Sequence, residues 1–178
     1  MRRIFIDCGY LRGKGTLFFK QTKDYSEDFE FYAFDPSNVP DPPPEINFNN
    51  QAAWIYDGTI DFYVRGGTKR SSVIATKNRH NIKKIPCIDF SKWVIDNFDK
   101  NDFMVLKMDI EGAEYAVLKK MYEDKSLHYF DIAYVEPHYA KDVNHPFFDF
   151  REKVQSEIKT LSFRTAIEWY VKNKISQR

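Results

Sequence analysis

Residues 103–122 of the chain, FMVLKMDIEGAEYAVLKKMY, decide the fold. The first six are almost uniformly apolar, which is typical of a strand buried on both faces in a parallel sheet. Asp109 ends that strand. Apolar residues then recur at every fourth position over 113–122, which predicts a helix that packs one side against the sheet. A strand followed by such a helix is the unit from which α/β folds are built.

Strand and helix patterns alternate on both sides of this segment. Further strands are predicted over 4–8, 29–34, 46–54, 130–135 and 163–171, and further helices over 16–21, 91–98 and 150–161. Alternation of this kind favours a mainly parallel sheet with helices on both faces. We therefore expect an α/β protein.

Two stretches depart from the alternation. Residues 40–44, PDPPP, stand where a crossover helix would be expected, and prolines withhold backbone donors, so an extended connection is predicted there. Asp57-Gly58 is a tight-turn signal, and apolar residues alternate along 59–64 after it. Pairing of residues 72–76 back onto that segment predicts an inserted β-hairpin.

Composition limits what the protein is expected to bind. The 178 residues suit one domain over 1–178, and 27 Lys and Arg against 26 Asp and Glu give no general attraction to nucleic acid or anionic membrane. No apolar run is long enough for a membrane span or a signal peptide. Cys8 and Cys87 lack metal-ligand spacing and are interpreted as reduced core residues. We therefore expect a soluble, cytoplasmic protein without a nucleic-acid partner.

Acidic residues follow the predicted strands at their carboxyl ends, where open α/β sheets bind ligands. They stand in Asp7–Gly9, Asp35–Pro36, Asp109–Gly112 and Glu136–His138, whereas Ala53–Trp54 has none. Like charges repel, so a purely structural domain has little reason to collect acids at one rim. We interpret this rim as a ligand site.

The first loop, DCGYLRG over 7–13, has features of a nucleotide-binding loop. Gly9 permits a sharp turn after the strand, and Gly13 permits close approach of the backbone to a ligand. Asp35 follows at the separation expected of a carboxylate that accepts ribose hydroxyls. Neither a P-loop nor a G-x-G-x-x-G motif occurs in the sequence. An acid two residues before the first glycine suits S-adenosylmethionine, which carries a sulfonium and no phosphate.

The segment at the centre of the fold resembles the signature of a known family. Residues 105–118, VLKMDIEGAEYAVL, are similar to the most characteristic segment of the FkbM family of S-adenosylmethionine-dependent methyltransferases. Further matches follow the family's order at Asp7-x-Gly9-x-x-x-Gly13, Phe34-Asp35-Pro36, Ile85-Pro86 before Asp89-Phe90, and Tyr134-Val-Glu136-Pro-His138. The resemblance spans about residues 4 to 139. Tyr10 and Leu11 stand where the family usually has Ala and Asn.

The resemblance implies a Rossmann-like class I methyltransferase sandwich that binds S-adenosylmethionine. The rim and the resemblance together assign cofactor contacts to Asp7, Gly9, Tyr10, Gly13, Asp35, Pro36, Ala53, Trp54 and Asp109. Of these, Tyr10 and Trp54 would flank the adenine or the acceptor. The version is minimal, because the chain begins directly at the first strand and has one strand, not the family's usual two, beyond the fifth. A homodimer is one way to complete that sheet edge.

Methyl transfer to a hydroxyl requires removal of the acceptor's proton by a base or a bound metal ion. His138 is the first candidate base because histidine titrates near neutral pH, and Asp109 is the second. Glu111 is the third catalytic candidate. Asp109, Glu111 and Glu136 are also candidate ligands of a divalent metal ion, and Glu111, Glu114 and Glu136 are candidates to orient the acceptor or to complete such a site. Glu111 and Glu114 have a second interpretation, since acids near a helix N-terminus interact favourably with the helix dipole.

The resemblance implies that the acceptor is a hydroxyl on a sugar, a glycan or another small polar molecule. Alternatives stay open on the residues alone. A nitrogen acceptor on a peptide or amine would use the same cofactor site. A non-catalytic binding domain would keep the fold while the first loop changed at Tyr10 and Leu11. A nicotinamide-dependent oxidoreductase is the weakest alternative, because the dinucleotide motif is missing.

Overall fold

The structure is a computed structural model that describes residues 1–37, 39, 41–64, 71–74, 81–138 and 146–165. Its strands are β1 (Arg3–Cys8), β2 (Phe29–Phe34), β3 (Ile46–Asn49), β4 (Ala52–Trp54), β5 (Gly58–Val64), β6 (Asn81–Asp89), β7 (Phe103–Met108), β8 (Ile132–Val135) and β9 (Ser162–Thr165). Its helices are α1 (Lys14–Phe19), α2 (Phe90–Asn97), α3 (Glu114–Glu123) and α4 (Pro146–Glu157), with a 3-10 turn at Ser126–Tyr129.

Six strands form one parallel sheet in the order β3-β2-β1-β7-β8-β9. The chain progresses outward in opposite directions from β1 and from β7, so the topological switch lies between these two strands. Their last residues, Cys8 and Met108, are paired, so both strands end at the same level. A ligand site is expected beyond that level. The predicted Rossmann-like α/β fold is confirmed.

The large sheet is buried on both faces, which explains why its central strands are apolar runs rather than alternating patterns. On one face, Ile4 and Ile6 of β1 belong to a cluster that includes buried residues of α2, α3 and α4. On the other face, Phe5 of β1 and Phe19 of α1 belong to a second cluster, with their ring centroids 4.2 Å apart. Helices therefore cover both faces of the sheet, as predicted.

The chain between β3 and α2 forms a separate three-stranded sheet in the order β4-β6-β5. The prediction of one strand over 46–54 is wrong, because β3 belongs to the large sheet and β4 to the small one. Asn50 lies at the break, where its side-chain amide donates hydrogen bonds of 2.8 Å to the carbonyl oxygens of Asp35 and Ser37. These bonds fix the chain where it leaves one sheet and enters the other.

The inserted β-hairpin is present, but its second strand is β6 rather than residues 72–76. β5 pairs antiparallel with β6 along its whole length, whereas Ser72 makes an isolated bridge with Tyr63, and the end of 72–76 lies outside the described residues. Pro86 concealed β6 in the sequence, since proline is rare inside strands. β4 pairs only with the three residues that follow Pro86, so β6 has a neighbour on one side at the proline.

The other helices and strands lie close to their predicted positions. The helices predicted over 16–21 and 113–122 are α1 and α3, shifted by two residues and by one. α4 is shifted by four residues toward the N-terminus relative to the predicted range of 150–161. β9 matches the start of the strand predicted over 163–171, and residues after 165 lie outside the described part of the chain.

Three simpler predictions concern the proline-rich connection, the two cysteines and membrane-spanning segments. Residues 41–44 of the proline-rich connection form no helix, as predicted. Cys8 and Cys87 are buried free thiols, which agrees with their assignment to the core. Among the described residues, no helix has the length and apolar character needed to cross a membrane.

Candidate functional site

A cavity of about 230 Å³ lies beyond the carboxyl ends of β1, β2, β4 and β7, at the topological switch. We call it the first cavity. It is lined by Gly9, Leu11, Phe34, Asp35, Pro36, Ser37, Ala52, Ala53, Phe62, Ser71, Val73, Asp109, Ile110, Glu111 and Ala113. Five of the nine predicted cofactor contacts are in this set: Gly9, Asp35, Pro36, Ala53 and Asp109.

Gly9 is required by the close approach of two strand ends. Its φ of +84° lies in the left-handed region, and a Cβ atom there would lie 1.8 Å from the carbonyl oxygen of Asp109. Its N–H donates to the carbonyl oxygen of Phe34 at 2.9 Å, so the turn also joins β1 to β2. The glycine thus lets three strand ends converge beside the first cavity.

Asp35 fixes the first loop beside the first cavity. Its carboxylate accepts hydrogen bonds from the N–H of Leu11 at 2.6 Å and of Ser37 at 2.8 Å, one on each oxygen. Leu11 has a φ of +50°, a conformation that is uncommon for residues other than glycine. Each carboxylate oxygen has two lone pairs, so both keep acceptor capacity for a ligand hydroxyl.

Asp7 lies beneath the first cavity and is paired with Lys107. Both side chains are buried, and the Nζ atom of Lys107 lies 2.9 Å from Oδ1 of Asp7. The same ammonium donates to the carbonyl oxygen of Gly9 at 2.8 Å and lies 3.8 Å from Oδ2 of Asp109. Burial by itself would lower the pKa of Lys107, but the charges of Asp7 and Asp109 raise it above its usual value. Asp7 is therefore a buried residue that holds Lys107 under the strand ends, and it is not in the lining of the first cavity.

Three other predicted cofactor contacts lie away from the first cavity. Tyr10 is buried, and its ring packs edge-on against Phe48 with a centroid distance of 5.7 Å. Gly13 lies next to the Tyr10 hydroxyl, and both residues line a second cavity of about 430 Å³ between α1 and the proline-rich connection. Trp54 packs between the core of the large sheet and that of the small sheet. The structure does not bring these three residues to the switch point.

The end of β8 brings His138 into a group of carboxylates. Its Nδ1 atom lies 3.0 Å from Oε1 of Glu114 and 3.8 Å from Oδ1 of Asp109. Its Nε2 atom lies 3.8 Å from Oε2 of Glu111 and 3.7 Å from Oε1 of Glu136. We call these five residues the acidic cluster. The sequence predicted that four of them share this rim, and Glu114 completes the group.

The acidic cluster holds His138 in its protonated form. Partial burial would lower the pKa of His138, but the hydrogen bond to Glu114 and the charges of Glu114, Glu111 and Asp109 raise it to about 9. An imidazolium has no lone pair with which to accept a proton. At neutral pH this arrangement therefore disfavours His138 as the general base and leaves that role to a carboxylate. Burial also raises the pKa of Glu136, which makes its carboxylate a stronger base.

One donor atom from each of Asp109, Glu114 and His138 lies within 4.8 Å of the other two. Glu114 is a poor metal ligand here, because Oε1 and Oε2 accept backbone N–H groups and Oε1 also contacts His138. The predicted metal ligands Glu111 and Glu136 both face the same ring nitrogen of His138. The arrangement fits a hydrogen-bonded ion cluster better than a metal centre.

Several residues of the first cavity were not among the predicted cofactor contacts. Leu11 and Ser37 enter through the two hydrogen bonds of Asp35. Phe62 and Val73 come from the inserted region, where alternation of apolar residues indicated a buried face but not what it covers. For Phe62, the alternation of apolar residues along 59–64 was the available clue.

Comparison with known proteins agrees with this geometry. The family model described as the methyltransferase FkbM domain matches residues 7–157, a range that contains the first cavity and the acidic cluster. No curated protein and no solved structure matched the chain. Because the family match covers most of the sequence and the sheet has the expected order, the chain belongs to the FkbM family of methyltransferases.

Proposed function

We propose that this methyltransferase uses S-adenosylmethionine and methylates a hydroxyl of a sugar, a glycan or another small polar molecule. One observation carries the proposal: the glycine turn, the Asp35 carboxylate and the acidic end of β7 meet at the first cavity. Family membership supports the cofactor. The hydroxyl acceptor is supported by the family resemblance and by the carboxylates beside the cavity.

The charged groups of the first cavity suit a cationic cofactor that has no phosphate. Among the described residues that line it, the charged ones are Asp35, Asp109 and Glu111, and none is Lys or Arg. A pyrophosphate is usually held by cations or by N–H groups at a helix N-terminus, so this lining disfavours a nicotinamide dinucleotide. When bound, S-adenosylmethionine would supply an electrophilic methyl group on a positively charged sulfur.

The positions of the described residues suggest which part of the cofactor each of them would contact. Asp35 would accept the ribose hydroxyls with the lone pairs left by its two backbone contacts. Pro36 and Ala53 would contact the adenine, and Gly9 and Asp109 would face the methionine portion. These assignments follow the order of the strand ends, from β2 at one side to β7 at the other.

Asp109 is the residue that we assign as proton acceptor for the hydroxyl. It lines the first cavity and also belongs to the acidic cluster, so it is within reach of both the cofactor and an acceptor. The Nζ atom of Lys107 lies 3.8 Å from Oδ2 of Asp109. Glu111 lines the same cavity and would accept a second hydroxyl of a sugar. His138 would contribute a fixed positive charge among these carboxylates.

A thermal-shift comparison of S-adenosylmethionine, S-adenosylhomocysteine, NAD and ATP tests the cofactor. A ligand at 100 times its Kd stabilises a protein by about 2.7 kcal/mol, or roughly 5–10 °C for a chain of this size. We expect that response to the first two compounds only. A response to NAD would favour an oxidoreductase, and silence toward all four would favour a non-catalytic binding domain.

Methyl transfer from labelled cofactor to a panel of monosaccharides, oligosaccharides, amines and peptides tests the acceptor. Activity confined to amines or peptides would favour the N-methyltransferase alternative. Asp109→Asn should reduce turnover by about 10²–10⁴-fold, the usual contribution of a general base. Glu123→Gln, at the exposed end of α3, is the matched control. Parallel assays with EDTA and with added Mg²⁺ or Mn²⁺ test the metal alternative.

A further inference from the structure

Glu114 is a buried carboxylate that joins two separate parts of the site. Its side chain is 2% exposed, although a charged group is almost never buried without partners. Oε1 accepts a hydrogen bond from the N–H of Ile110 at 2.9 Å, and Oε2 accepts one from the N–H of Gly112 at 2.9 Å. Oε1 also lies 3.0 Å from Nδ1 of His138. Because a carboxylate only accepts, Nδ1 is the donor.

The two backbone bonds hold the turn that follows β7. In this turn Glu111 has a φ of +56° and Gly112 a φ of +108°, so Glu111 is held in a conformation that is uncommon outside glycine. Glu114 satisfies the N–H groups on either side of Glu111. The turn carries Asp109 and Glu111, the two carboxylates of the acidic cluster that line the first cavity.

The bond to His138 reaches a different strand, because His138 follows β8. With Nδ1 committed to Glu114, the ring is oriented so that Nε2 faces Glu111 and Glu136. The buried carboxylate of Glu114 thus holds the turn that carries Asp109 and Glu111, and it also orients the protonated ring of His138. A side chain that only capped α3 would accept hydrogen bonds from the first N–H groups of that helix. Glu114 instead accepts from Ile110 and Gly112 in the preceding turn and contacts His138, which follows β8.

We propose that Glu114 is a positioning residue for methyl transfer, which aligns the Asp109–Gly112 turn and the His138 ring around the acceptor. The inference rests on the proposed function for its catalytic readout. Glu114 acts through Asp109, Glu111 and His138 and does not contact the acceptor itself. Alignment of this kind affects the rate strongly, because displacement of a reacting group by about 1 Å can cost about 100-fold.

Glu114→Gln is the variant that separates positioning from a purely structural role. The amide oxygen can keep one backbone contact, but the negative charge beside His138 is lost. We expect kcat/KM at pH 7.5 to fall at least tenfold, while the Kd for S-adenosylhomocysteine changes less than threefold. Glu123→Gln on the same helix should leave both values unchanged, since Glu123 is exposed and pairs only weakly with Lys119.

A pH readout distinguishes charge coupling from general loosening. In the described part of the chain, the ionisable groups shown facing His138 are Asp109 after β7, Glu111 in the turn, Glu114 in α3 and Glu136 after β8, with Lys107 beside Asp109. Glu114 is the closest of them. In the wild type, imidazole ¹⁵N resonances should report titration of His138 near pH 9. In Glu114→Gln the midpoint should move at least one pH unit lower, and the basic limb of kcat/KM should move with it.

The outcomes are separable. Parallel loss of S-adenosylhomocysteine binding and of activity in Glu114→Gln, with an unmoved His138 titration, would overturn the positioning role. If the variant does not fold, the wild-type resonances still decide: a His138 that titrates near its ordinary value would also overturn it. Absence of any cofactor response in the wild type refutes the proposed function instead, and the ¹⁵N titration then judges the Glu114–His138 coupling alone.

Discussion

Lys107→Met is predicted to destabilise the protein severely, because it removes one partner of a buried ion pair. The Nζ–Oδ1 distance of 2.9 Å and the burial of both side chains describe a pair with little access to water. Loss of one member of such a pair costs about 3–5 kcal/mol, since the remaining charge stays buried. The variant also leaves the carbonyl oxygen of Gly9 without its 2.8 Å donor. For a chain of this size the cost corresponds to a fall in Tm of roughly 6–20 °C.

Urea denaturation monitored by circular dichroism, with midpoints and slopes fitted together, measures this change. Lys119→Met is the matched control, because Lys119 is exposed and lies 3.9 Å from Glu123, so its loss should cost less than about 1 kcal/mol. The double variant Asp7→Asn/Lys107→Met should recover much of the loss, since no charge remains buried. The defect of Lys107→Met should also shrink as the pH falls toward the ordinary aspartate pKa of about 3.9, because burial raises the pKa of Asp7 and protonation then removes the unpaired buried charge.

A loss for Lys107→Met no larger than that of Lys119→Met would refute this reasoning. So would a double variant whose destabilisation equals the sum of the two single variants. Either result would mean that the Asp7 carboxylate reaches water or another donor, and that the support beneath the first cavity does not depend on charge pairing.

Three further predictions follow from the contacts of the site. Gly9→Ala should destabilise by more than about 3 kcal/mol in urea denaturation, because its Cβ would overlap the Asp109 carbonyl oxygen; a loss below 1 kcal/mol would contradict the close approach of these strand ends. Asp35→Ala should raise the Kd for S-adenosylhomocysteine at least tenfold in calorimetry, because Leu11 in the first loop and Ser37 after β2 each lose a hydrogen bond, and an unchanged Kd would exclude Asp35 from the ribose site. The raised pKa of His138 should stabilise the folded protein by on the order of 2 kcal/mol. This stabilisation should be complete below about pH 6.5 and should be lost as the pH rises through about 9. Urea midpoints from pH 6 to 10 should therefore fall in the wild type and stay flatter in His138→Gln.

The large sheet could be predicted from the sequence because its strands are buried on both faces. Residues 103–108 and 4–8 are apolar runs that few other structures accommodate, and the helix after Asp109 follows from regular spacing. The small sheet was harder to predict. The break at Asn50 depends on hydrogen bonds to Asp35 and Ser37, which are distant in sequence and give no periodic signal.

The candidate site was predictable in its location and not in the direction of every side chain. Gly9, Asp35 and Asp109 were selected because they follow strand ends, and all three line the first cavity, since topology places them near the switch point. Neighbours in sequence were misleading, since Tyr10 packs on the α1 side of the sheet. Glu114 was a candidate to orient the acceptor, but its contact with His138 could not be found from spacing, because His138 follows a different strand.

Chemical-shift changes of backbone amides on addition of S-adenosylhomocysteine test the central claim most directly. We expect saturable shifts at Gly9, Ala53, Asp109 and Glu111, which line the first cavity, and unchanged shifts at Thr16 and Lys20, which line the second. Shifts confined to the second cavity, or no shifts at millimolar ligand, would contradict the placement of the cofactor at the switch between β1 and β7.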